Sequence, residues 1–157
     1  MPPLTALFLV LFIAAFDQLA KYYVTSAMNL GESIPVIDGV FHFTYVLNPG
    51  AAFGIMKNQT AFFVIIAVIV LAGSMYFFSS LAGEARLARF GVILLAGGAA
   101  GNLIDRVKTG FVIDFFDFRV WPVFNIADLA IVIGASLIAL ALWLAPSDVF
   151  SKNTGGD

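Results

Sequence analysis

The residues of this chain with the greatest chemical capacity are carboxylates in apolar surroundings. Asp114 stands in Val112-Ile113-Asp114-Phe115-Phe116, and Asp128 closes Phe124-Asn125-Ile126-Ala127-Asp128. Two carboxyl groups at one mouth cannot easily both ionise, so one pKa rises and the pair holds one proton near neutrality. The ionised member can take a proton from a water that attacks a carbonyl carbon. The protonated member can donate to the carbonyl oxygen. This chemistry needs neither thiol nor metal. The chain has no Cys and one His, which excludes disulfides, thiol chemistry and a His-rich metal site, so no cofactor and no metal is expected.

Further polar residues accompany the pair. Asp17 and Lys21 are four apart on one helix face, in the favourable acid-then-base order. Asn48-Pro49-Gly50 opens a tight turn followed by the small residues Ala51 and Ala52, and Gly50 lets the backbone approach a ligand or another chain. Asn102, Asp105 and Arg106 share a face, with Gly98 one turn below leaving room for a neighbouring helix. Each cluster also has a purely structural reading. Asp17–Lys21 is then a salt bridge at a helix end, and Arg106 a structural tie where a helix stops, paired with Asp105 or with a backbone carbonyl. Asn125 and Asp128 become the N-cap and first turn of a helix. That last reading is complete for Asn125 and Asp128, but it leaves Asp114 without a reason.

The elements that must position these residues follow from composition. Of 157 residues, 61% are hydrophobic and only 11% charged, and mean hydropathy is +1.00. A water-soluble chain this short cannot hide that much apolar surface, so its solvent is lipid. Four apolar runs predict spans at about 4–24, 60–80, 88–106 and 126–145. The first is retained rather than cleaved, since no Lys or Arg precedes it and Asp17 and Lys21 stand where a cleavage region is small and neutral. The third contains Ala96-Gly97-Gly98-Ala99-Ala100-Gly101, and such small residues place it in the middle of a bundle. Between the first two spans, about 30–57, Ile34–Ile37 and Val40–Val46 read as short strands of a sheet at the membrane surface. The expected fold is an all-α membrane protein, a four-transmembrane-helix bundle with a small β-sheet insert after the first helix. Residues 1–150 form one domain and 151–157 a disordered tail. His42 reads as a sheet residue, and Trp121 and Trp143 as interface anchors.

Four spans put both termini and the 81–89 link on one side, and every polar cluster on the other. Counting Lys and Arg does not decide which side is cytoplasmic. Once Lys21 and Arg106 are set aside as members of the clusters, three basic residues stand on each side. Net charge is −2 with no basic run, so nucleic acid is not an expected partner.

Together and in order, Asp17-Gln-x-x-Lys21, Asn48-x-Gly-Ala-Ala-Phe53, Gly98-x-x-x-Asn102-x-x-Asp105-Arg106, Val112-x-Asp114-Phe115 and Phe124-Asn-x-Ala-Asp128 resemble the lipoprotein signal peptidase (signal peptidase II) family of bacteria. The resemblance covers about residues 4–145. It implies a four-span inner-membrane protein with a small periplasmic sheet and a short periplasmic helix, both termini cytoplasmic, and the site near the periplasmic face. It implies an aspartic endopeptidase acting on diacylglyceryl-prolipoprotein, with Asp114 and Asp128 as the dyad. Asp17, Lys21, Asn48, Gly50, Asn102, Asp105, Arg106 and Asn125 would shape and support the site. The chain departs from the family pattern in the stretch between the two Asp motifs, which is a few residues shorter. Asp117 is the one rival carboxylate there, and it lies outside the V-x-D-F pattern. A monomer is the simplest reading. Two readings from other classes remain beside the peptidase: a proton-coupled transporter, whose site belongs near the midplane, and a non-catalytic assembly factor, in which the Asp residues are caps.

Overall fold

The computed structural model describes residues 2–50, 59–81 and 85–144. Four helices carry the chain: α1 (Pro3–Ala27), α2 (Thr60–Ser80), α3 (Arg86–Thr109) and α4 (Ile126–Leu144). They hold 25, 21, 24 and 19 residues and are long and apolar enough to cross a membrane. The expected tail at 151–157, and the last residue of the expected fourth span, lie outside the described residues. So do Ala51, Ala52 and Phe53 of the second motif and Lys57. The short helix implied beside the sheet falls on none of the described residues.

Local chemistry sets the helix limits. Pro3 opens α1, where a missing N–H costs nothing. Gly110 closes α3 with φ +82°, its N–H donating to the Arg106 carbonyl at 3.0 Å. Asn125 opens α4 with its side chain. Large apolar residues such as Leu7, Phe8, Phe12, Ile65, Ile69 and Trp143 remain exposed, as lipid-facing side chains would be.

α3 is the helix against which the others pack. Within its most apolar stretch 56% is buried, against 11–17% for the other three helices. Its small residues are the cause. A Cβ on Gly91 would lie 2.7 Å from the Gly134 carbonyl oxygen of α4, and one on Gly134 would lie 2.6 Å from the Gly91 carbonyl oxygen. A Cβ on Gly98 would collide with the Ala127 carbonyl oxygen. Towards α1, a Cβ on Gly97 would meet Ile13 at 2.7 Å, and one on Gly101 would meet Asp17 Oδ2 at 2.6 Å. Backbones this close gain dispersion contacts without ordering long side chains.

The sheet departs from expectation in one important respect. It has three strands, β1 (Ser33–Ile37), β2 (Phe41–Asn48) and β3 (Val112–Asp117), antiparallel in that order. The two strands of the insert were expected. The third follows α3 and carries Asp114, and no strand was expected there. β2 pairs with β3 as His42–Asp117 and Phe43–Phe116, then as Val46–Asp114, Leu47–Ile113 and Asn48–Val112. One extra β2 residue is accommodated between these runs, a bulge that re-aims the strand. Phe41, Phe43, Phe115, Phe116, Phe118 and Phe124 stack across the sheet with centroids 4.6–6.5 Å apart. The short return from β3 to α4 turns at Arg119 with φ +65°, and Phe124 donates its N–H to the Phe116 carbonyl at 3.1 Å.

Candidate active site

The C-terminal ends of α1 and α3, strand β3 and the N-terminus of α4 meet at one end of the helices. There they enclose Asp17, Lys21, Asn102, Asp105, Asp114 and Asn125, none more than 5% exposed. Buried charge at this density survives only if every group is partnered.

Asp128 is positioned by the start of its own helix. Its backbone N–H donates to Asn125 Oδ1 at 2.9 Å, and its Oδ2 accepts the Asn125 N–H at 3.3 Å. This reciprocal pair is a capping box with Asn and Asp in the two roles. The capping reading of these residues is therefore correct as local structure, and it is also what aims the carboxylate. Asp128 Oδ1 accepts from Asn102 Nδ2 at 2.7 Å. Asp128 is only partly buried, so the cluster opens on its side.

Asp114 is held by the sheet. The register that sets Asn48 opposite Val112 lets Asn48 Nδ2 donate to Asp114 Oδ2 at 2.9 Å. Asn125 Nδ2 donates to Asp114 Oδ1 at 2.6 Å and also lies 3.2 Å from Asn102 Oδ1. The amides of Asn102 and Asn125 thus join the two carboxylates into one hydrogen-bonded unit. Burial, and next the negative charge of Asp128, push the Asp114 carboxyl up to about 7, against the lowering effect of the Asn48 and Asn125 donors.

Beneath this unit lies Lys21. Its ammonium contacts Asp17 Oδ2 and Asp105 Oδ2, each at 2.7 Å, and donates to Asn102 Oδ1 at 3.0 Å. Asp17 Oδ1 accepts the Ala127 N–H at 2.9 Å, so a side chain of α1 satisfies a free amide in the first turn of α4. Asp105 accepts from Gln18 Nε2 at 2.6 Å and from the Ile113 N–H at 3.2 Å, which ties α3 to α1 and to β3. Of the two partners open to Arg106, Asp105 or a backbone carbonyl, the structure selects the carbonyl, because Asp105 pairs with Lys21. Consecutive helical residues do not face each other, so Arg106 points elsewhere. Its guanidinium donates to the Gly50 carbonyl at 3.3 Å and covers the Phe63 ring at 5.0 Å.

Asp117 does not join the cluster. It accepts from the Thr44 hydroxyl at 2.7 Å and from the Arg119 N–H at 2.8 Å, and pairs with the Arg119 guanidinium at 2.9 Å. Burial would raise its pKa, but these donors and the Arg119 charge outweigh it and hold the carboxyl below the usual range. Sequence reasoning quoted Gln18 within a motif without a role, and the structure supplies one. Its position one residue after Asp17 was the available signal. His42 lies in the sheet, with Nδ1 3.0 Å from the Ser33 hydroxyl. No group of His, Cys, Asp and Glu among the described residues is arranged to hold a metal ion.

Comparison with known proteins bears on what this arrangement belongs to. The family profile described as signal peptidase (SPase) II matches residues 9–144. Lipoprotein signal peptidase of Moorella thermoacetica is 47% identical over 142 residues, 88% of this chain and 92% of the relative. That of Pelotomaculum thermopropionicum is 48% identical over 136 residues, 87% and 89% of the two chains. A solved structure described as a bacterial membrane enzyme superposes with a TM-score of 0.83 at 38% identity, covering 98% of this chain and 94% of that one. With four membrane-spanning helices and matches across nearly its whole length, the chain is a multi-pass bacterial membrane protein and belongs to the signal peptidase II family.

Proposed function

We propose that this chain is a membrane aspartic endopeptidase that removes the signal peptide of diacylglyceryl-modified prolipoproteins immediately before the lipidated cysteine. The observation that carries this reading is the bridging of Asp114 and Asp128 by two asparagine amides. Family membership supplies the substrate class. The protein sits in the inner membrane with both termini cytoplasmic and the Asp114–Asp128 end at the periplasmic face. The cluster is completed by residues of one chain, which supports action as a monomer.

The pair starts with one proton. Water attacks the scissile carbonyl carbon and gives a proton to the ionised carboxylate, while the other carboxyl donates its proton to the carbonyl oxygen. The resulting gem-diol returns a hydroxyl proton to the second carboxylate as the C–N bond breaks. The departing nitrogen takes the proton held by the first. The pair again holds one proton, and the lipidated cysteine has a free amino group. Placement at the helix ends, together with the family, favours peptidase over a midplane proton relay.

Incubating purified protein with a diacylglyceryl precursor and with its unlipidated form tests the reading. Release of signal peptide from the lipidated precursor alone is expected. Proton flux in liposomes without cleavage would sink it.

Two further results are expected. Because Asp114 titrates near 7, kcat/KM should fall as pH rises through about 7, where the one-proton pair becomes doubly ionised. The same shift bears on stability. The folded carboxyl binds its proton more tightly than the unfolded one (3.8), so thermal stability should decline between about pH 4 and 7. Asp114→Asn should flatten that slope in melting curves. Asp117→Asn should keep cleavage within about threefold of wild type, at about 1 kcal/mol of stability for its weakened bonds to Thr44 and Arg119.

A further inference from the structure

We infer that Lys21 is a positioning residue that sets the hydrogen-bond polarity of the asparagine pair, so that each dyad carboxylate meets an N–H rather than a carbonyl oxygen. The inference rests on the two-aspartate reading above.

An ammonium can donate but never accept. Lys21 ion-pairs with Asp17 Oδ2 and Asp105 Oδ2 and donates a hydrogen bond to Asn102 Oδ1. The third contact decides which way the Asn102 amide faces. With Oδ1 committed to Lys21, Nδ2 is left to donate to Asp128 Oδ1. Asn102 Oδ1 then also accepts from Asn125 Nδ2, which turns that NH2 group towards Asp114 Oδ1. Asn125 Oδ1 in turn is free to cap the Asp128 N–H. One cation thus propagates a single direction of donation through two amides to both carboxylates. Asp17 and Asp105 hold that cation in place, anchored by Ala127 N–H, Gln18 and Ile113 N–H. Without Lys21 the Asn102 oxygen keeps only the Asn125 NH2 group, at 3.2 Å, to hold it against a flip, in place of the 3.0 Å contact to a cation. A flipped amide sets oxygen against the Asp128 carboxylate.

The test is a double-mutant cycle between Lys21→Met and Asn102→Ala, read as kcat and KM on a lipidated peptide and as a pH profile. Lys21→Met should lower kcat about 30-fold or more with KM within about threefold, since misdirected groups near the reacting atoms cost about that much. Its high-pH limb should move upward, because a carboxyl facing oxygen releases its proton less readily. The double variant should be no slower than Asn102→Ala alone. Multiplicative effects in the cycle, or wild-type kcat in Lys21→Met, would overturn the inference. If Lys21→Met does not fold, because two carboxylates are left buried without a cation, the triple variant Asp17→Asn/Lys21→Met/Asp105→Asn removes that cost. Loss of kcat there at unchanged KM supports the inference, and retained kcat overturns it. Asp114→Asn and Asp128→Asn run in the same assay separate the two ideas. If either is active, the dyad fails. If both are inactive while Lys21→Met is unimpaired, only the role of Lys21 fails.

Discussion

Asp114→Asn is expected to insert into the membrane and fold, and to lose about four orders of magnitude of cleavage activity. An amide is close in shape to a carboxyl but can neither hold nor release the proton that, in the proposed mechanism, the pair passes between water, carbonyl oxygen and leaving nitrogen. Acid–base groups of this kind contribute typically 10²–10⁴-fold each, and both functions of the pair fail together here. The substitution also meets two donors, Asn48 Nδ2 and Asn125 Nδ2, where an amide offers one oxygen. A loss of about 1–3 kcal/mol is expected from the donor left over. Melting temperature and cleavage measured on one preparation separate the two effects. Full activity in purified Asp114→Asn protein would remove Asp114 from the mechanism. Asp128→Asn should behave alike in activity.

Gly98→Ala is expected to lower both activity and stability although Gly98 touches no carboxylate. Its new Cβ would collide with the Ala127 carbonyl oxygen and approach Ile131 Cγ1 at 2.9 Å. A backbone oxygen cannot rotate away as a side chain can, so α4 must shift from α3 at the turn that carries Asp128. The 2.7 Å bond from Asn102 to Asp128 spans that contact. Displacements of about an ångström in a reacting constellation cost about 10²-fold, and overpacking costs about 1–3 kcal/mol. Both a lower melting temperature and a roughly 100-fold lower kcat are therefore expected. Gly73→Ala is the control: its Cβ would have nothing within 4 Å, and removing a helical glycine should be neutral or mildly stabilising. Equal damage from both would mean that glycine flexibility, not close approach, is what α3 and α2 need.

Much of this was legible in the sequence because lipid simplifies the code. Apolar runs located the four helices to within a few residues, and Ala96–Gly101 marked the helix that others approach. The charged and amide residues that meet at the site stood out against an apolar background. What was not legible depended on pairing across the chain. Val112–Asp117 shows no alternation, since Phe115 and Phe116 are both apolar and the strand is covered on both sides, so no strand was expected there. The choice between the two partners open to Arg106 was not legible, because Lys21 becomes adjacent to Asp105 only when α1 packs on α3. The two readings of Asn125 and Asp128, cap or site, proved to be one geometry, which sequence patterns alone present as alternatives.

The burial of α3 has a consequence for how the protein is made. Its hydropathy is the lowest of the four spans, 1.6 against 1.9–2.5, and its polar end finds its partners on other elements: α1, β3, the start of α4 and, through Arg106, Gly50 and Phe63. A helix of this kind is poorly matched to lipid by itself. α1, α2 and α4 can partition into the bilayer as independent hydrophobic segments, but α3 needs company to stay there. In chain order α1 precedes α3 and α4 follows it, so the polar end of α3 meets its α1 partners before its α4 partner is in place. Asp114 and Asp128 are therefore joined through Asn102 and Asn125 only once α4 has packed against α3.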